Sequence, residues 1–70
     1  MPSAPAGREV LFEIVRIGAF AKVTAIDPTT GVEISLSAPA QSDDSILRAA
    51  GLRKLDYVLA KKAAEKNPKR

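Results

Sequence analysis

Between Glu9 and Ser37 the chain has strand character, and over Val32–Ser37 apolar and polar residues alternate cleanly with the two-residue period of a strand. Glu9–Ile17 is rich in β-branched and aromatic residues and holds no helix breaker, which predicts a first strand. Gly18 interrupts it, Ala19–Ile26 predicts a second strand, and Val32–Ser37 a third. Asp27-Pro28-Thr29-Thr30-Gly31 between the last two has turn chemistry. Asp accepts from the backbone, Pro presets φ, and Gly takes a left-handed position. A loop of Pro28–Gly31 sets Asp27 opposite Val32, Ala25 opposite Ile34 and Val23 opposite Leu36. Thr24 then meets Ser35, and Lys22 meets Ser37. A loop of Gly18-Ala19, with glycine first as a type II′ turn prefers, sets Ile14 opposite Val23 and Phe12 opposite Ala25. Two turns placed independently thus produce one apolar face of Val10, Phe12, Ile14, Ala21, Val23, Ala25, Val32, Ile34 and Leu36. A slip of one residue at either turn would destroy it.

After Ser37 the period changes. Ser37–Gln41 reads as a connection and Ser42 as the cap of a helix running from Asp43 to Glu65. Asp43 and Asp44 fall in the first turn, where carboxylates suit the positive end of the helix dipole. Leu47, Gly51, Leu55, Val58 and Leu59 form one stripe, with Leu52 beside it. Gly51 in that stripe predicts close approach to the small residues of the central strand, Ala21, Val23 and Ala25, rather than a break in the helix. Ile46, Ala50 and Tyr57 lie on the other side, as a core edge or a second contact surface. The expected fold is α+β, a three-stranded antiparallel meander followed by one helix packed on one face (β-β-β-α). The expected common core is Phe12, Ile14, Val23, Ile34, Leu36, Leu47, Leu55, Val58 and Leu59. One domain should occupy residues 8–65, between a disordered leader at 1–7 and a frayed basic tail at 66–70.

Composition narrows the function more than it names it. Of 70 residues 46% are hydrophobic, but 12 of these are alanines, so the core is thin. There is no cysteine, hence no disulfide or thiolate metal site, and no histidine, the commonest general base and imidazole ligand. Ser42, Asp43, Asp44 and Ser45 cluster without a base, and capping accounts for them. Asp43-Asp44 lacks the oxygen-rich loop of a cation site. Gly18 and Gly31 belong to turns, and no phosphate-loop pattern occurs. The chain is therefore expected not to be an enzyme, with no cofactor, no metal and no small-molecule substrate. No apolar run reaches the roughly 18 residues of a membrane span, and no secretory signal opens the chain. A cytoplasmic protein is expected.

Two surfaces remain as candidate contacts. On the outer sheet face Leu11, Val15, Ile17, Phe20 and Ile26 stand among polar residues, with Val15, Ile17 and Phe20 clustered at the first hairpin. Such a patch fits a protein interface or homodimer. The charge is also divided. Residues 1–47 hold three basic side chains against six acidic ones, and residues 48–70 hold eight against two. Arg53, Lys54, Lys61 and Lys62 therefore suggest a weak, sequence-indifferent nucleic-acid contact, unless they only complement the helix dipole. Some DNA-binding domains share a three-strand-plus-helix topology, but they read DNA with a basic sheet face, and this one has a single lysine and two glutamates.

Glu9-Val10-Leu11-Phe12-Glu13, Ile17-Gly18, Ala25-Ile26-Asp27-Pro28, Gly31-Val32-Glu33 and Leu52-Arg53-Lys54-Leu55-Asp56-Tyr57-Val58-Leu59 together resemble a family of short proteobacterial proteins of unknown function. The resemblance covers about residues 9–62. It implies a small stand-alone protein and brings no activity, cofactor or catalytic residue.

Overall fold

The computed structural model describes residues 9–66, the side chain of Lys66 excepted. The expected leader and tail lie outside these residues, apart from the backbone of Lys66. Three strands, β1 (Leu11–Ile17), β2 (Phe20–Asp27) and β3 (Val32–Pro39), form an antiparallel sheet in chain order, and one helix, α1 (Asp44–Lys66), follows. The register is the one the two turns dictate. Phe12 pairs with Ala25, Ile14 with Val23, Ala25 with Ile34 and Val23 with Leu36. Gly18 and Gly31 have φ of 59° and 78°, the left-handed backbone that glycine adopts without a side-chain clash. In the second turn the Gly31 amide donates to the Asp27 carbonyl at 2.7 Å, and the Thr29 amide to Asp27 Oδ1 at 2.9 Å. Asp27 is buried, and these bonds are why its burial is tolerable.

Several boundaries shift by one or two residues from the sequence expectation: β1 begins at Leu11 rather than Glu9, β2 spans Phe20–Asp27 rather than Ala19–Ile26, and α1 ends at Lys66 rather than Glu65. The end of β3 and the start of α1 move as well. β3 continues two residues past Ser37, pairing Ala38 with Ala21 and Pro39 with Phe20. Proline has no amide to offer a ladder, and at the edge of a sheet it needs none. The helix starts one residue late. Leu47 N–H donates to the Asp43 carbonyl at 3.0 Å, so Asp43 rather than Ser42 stands at the cap position. The Ser42 amide instead donates to the Pro39 carbonyl, closing a turn.

The helix rests chiefly on β2 and β3 and touches β1 least. Ala21, Val23, Ala25, Ile34, Leu47 and Leu55 are buried, in two clusters along the central strand. Phe12, Ile14, Leu36, Val58 and Leu59, expected in the core, pack against these clusters but remain half-buried. One helix about 10 Å across covers roughly two strands spaced near 4.8 Å, so the flanks of a three-stranded sheet stay partly open. Gly51 is buried and sets the distance between the layers. A Cβ there would stand 3.2 Å from Val23 Cγ1 and 3.3 Å from Phe12 Cε1. The stripe has a glycine because the helix lies against the sheet at that point. Beyond Leu59 the helix adds nothing to the core, and residues 60–65 are exposed.

Candidate interaction surface

The outer face of the sheet consists of four cross-strand rows. Leu11, Ile26 and Glu33 make the first row, Glu13, Thr24 and Ser35 the second. Val15, Lys22 and Ser37 make the third, Ile17, Phe20 and Pro39 the last. The sequence-predicted cluster is thus brought together: Ile17 and Phe20 are direct partners, and Val15 lies two residues back on the same face. Ile17 is 69% exposed and Phe20 65%. Pro39 completes this apolar row, and sequence reasoning missed it because it ended β3 at Ser37. The signal was available, since Ser37 outward, Ala38 inward and Pro39 outward continue the strand's alternation.

The basic residues do not form one stripe. At 100° per residue Arg53, Lys54, Lys61 and Lys62 spread over about half the helix circumference. Lys54 is already engaged, its Nζ donating to the Ser35 carbonyl at 2.9 Å. Arg53, Lys61 and Lys62 are exposed, and Lys62 borders a shallow open depression with Thr30, Val32 and Leu59. Ile46 and Tyr57 are exposed as well, and at the same 100° per residue they fall between Arg53 and Lys61. Among the described residues no three acidic, His or Cys side chains come together as a metal site.

The residue that sequence reasoning left unassigned is Arg16. It occupies the inner register of β1, opposite Ala21. Its Nε donates to the Ala40 carbonyl at 2.8 Å, and Nη2 donates to the Ser42 carbonyl at 2.7 Å and to Asp44 Oδ1 at 2.8 Å. The planar fork of a guanidinium suits such a set of oxygens. Arg16 thereby ties the open strand to the β3–α1 connection and to the first helical residue. A charge in an otherwise apolar register was the sequence signal.

The two sheet edges also differ. A two-residue loop makes its flanking pair, Ile17 and Phe20, a hydrogen-bonded one, and such pairs alternate along an antiparallel ladder. The backbone groups of Phe12, Ile14 and Arg16 then point away from β2, toward the free edge of β1. The same alternation carried across β2 turns Ser35 and Pro39 outward on β3. Lys54 meets the Ser35 carbonyl there, which fixes the phase independently. The β3 edge is therefore capped by Lys54 and blunted by Pro39, whereas among the described residues β1 has neither device.

The fold and surface define a small α+β domain, an open meander backed by one helix. The chain belongs to the family described as a domain of unknown function (DUF6898), whose model matches residues 7–62. No curated protein and no solved structure matches it. No helix of the described residues is long and apolar enough to cross a membrane.

Proposed function

We propose that the chain is a small non-enzymatic protein-interaction module in the cytoplasm, and that the outer sheet face carries the contact through Val15, Ile17 and Phe20. The observation behind this reading is the pairing of Ile17 with Phe20 at about two-thirds exposure. Solvated sheet faces are usually polar, and large side chains left open in adjacent positions mark contact surfaces. Pro39 beside them adds apolar area without offering an amide to a stray strand. The accessory nucleic-acid reading has weaker support, because the basic side chains diverge around the helix and Lys54 is held by the sheet.

A photoreactive residue at Phe20 should crosslink one discrete protein, or the chain itself, in extract of the native host. The same probe at Ala60, exposed on the helix, should not. Equal labelling from both positions would sink the reading.

A further inference from the structure

We infer that a second copy of this chain docks on the β1 edge, antiparallel and centred on Ile14, to give a continuous six-stranded sheet. The inference goes beyond the face contact proposed above, because it uses the backbone edge of β1 rather than the side chains of its outer face. The first observation is the edge itself. β1 is seven residues long, Leu-Phe-Glu-Ile-Val-Arg-Ile, with no proline, no bulge and little of the helix over it. Unpaired strand edges of this kind are templates for another strand, and proteins ordinarily blunt them. Here β3 is blunted and β1 is not.

The second observation is register. The outward-pointing backbone groups belong to Phe12, Ile14 and Arg16, which are spaced symmetrically about Ile14. A two-fold axis there pairs Ile14 with Ile14 of the second copy and Phe12 with Arg16 of the second copy. All three residues on each side then complete hydrogen bonds. On the outer face the same axis sets Leu11 opposite Ile17 and Glu13 opposite Val15, so no like charges oppose each other. Centring on Glu13 would press two carboxylates together in the close, non-hydrogen-bonded position. Centring on Val15 would run Phe12 into the Gly18 turn. An odd shift would set inner against outer residues. Ile14 is the midpoint of β1, so this centre alone pairs the whole strand, Leu11–Ile17, with itself while satisfying charge, face and hydrogen bonding, and a strand complementary to itself commits the site to a second copy.

The register supplies a test by charge sign. Val15→Lys and Val15→Glu both remove the apolar group from the outer face. With the Ile14 centre, Val15→Lys creates two Lys–Glu13 pairs across the axis, and Val15→Glu creates two Glu–Glu13 pairs. Within one chain the effect runs the other way, because residue 15 stands opposite Lys22. Fold stability and association are thereby separable, and thermal unfolding of each variant checks the first. Sedimentation at low salt should show the native chain and Val15→Lys as dimers, with Val15→Glu dissociating at a concentration about 10-fold higher. In the native chain the amides of Phe12, Ile14 and Arg16 should gain protection from hydrogen exchange as concentration rises, while Glu13 and Val15 change little. A chain that stays monomeric at the highest concentration, with those three amides unprotected, overturns the inference and leaves the face reading standing for a foreign partner. Equal loss of association in both variants overturns it in favour of a face-to-face dimer. Protection of the three amides only with an added foreign protein overturns it in favour of an unlike strand.

Discussion

The two outer strands of this sheet have similar lengths and opposite fates. β3 lies under the helix, accepts Lys54 on an outward carbonyl and carries Pro39 near its end. β1 lies beside the helix, keeps Leu11, Val15 and Ile17 exposed, and is tied to the helix start by Arg16. The difference follows from chain order. α1 leaves β3 through a short connection, Ala40–Asp43, so its first turn starts near β3 and its axis settles over the strands nearest its origin. A single helix after a meander protects the last strand before the first. Where such a domain makes contacts, the first strand is the place to look.

Three substitutions press on that contrast, in descending order of effect. Leu55→Ala removes a fully buried anchor of the helix on β2 and β3 and should cost about 2–5 kcal/mol. In a domain of this size that is a large part of the total stability. A urea titration measures it. A loss below about 0.5 kcal/mol would mean that the helix does not shield β3 as described.

Arg16→Ala removes the tether between β1 and the helix start and should cost about 1 kcal/mol. Hydrogen bonds from a charged donor are worth more than that when buried, but this guanidinium is 41% exposed, so screening discounts them. Amide exchange should quicken in the first helical turn. Arg16→Lys keeps the charge without the fork and should recover only part of the loss. Full recovery would show that charge alone matters.

Lys54→Ala combined with Pro39→Thr strips both devices from β3 and should change stability by no more than about 0.5 kcal/mol. Its expected effect is on assembly. With two open edges instead of one, association no longer closes at a pair, and light scattering should grow with concentration. Unchanged scattering would show that the helix alone guards β3.

Much of the fold was legible in the sequence because a sheet face is a parity constraint. Once Asp27–Gly31 and Gly18-Ala19 are recognised as turns, the placement of Phe12, Ile14, Val23, Ala25, Ile34 and Leu36 leaves one register. Gly51 was legible for the same reason, standing on an apolar stripe opposite alanines. The end of β3 was missed because proline reads as a breaker, and only its edge location makes it harmless. The cap was displaced by one residue because Ser42 and Asp43 are both good caps, and the Ser42 carbonyl is taken by a side chain 26 positions earlier. The helix's offset toward β3 was not legible, since periodicity gives the face a helix buries and not the strands beneath it. The outer cluster was found from its three side chains, but the contrast between the edges needed the Lys54 contact.

The meander order has a kinetic consequence. Each strand pairs with its neighbour in sequence, across loops of two and four residues, and the helix folds back on strands that precede it directly. Chains dominated by such short reaches pay little loop-closure entropy before contacts form, and they fold quickly. Arg16 is the exception, reaching Asp44 across 28 positions. That bond requires both hairpins and the helix start to be in place, so it belongs to the native side of the folding barrier. Its loss should quicken unfolding and leave the folding rate nearly untouched, which makes Arg16 a determinant of how long the native state lasts rather than how soon it is reached.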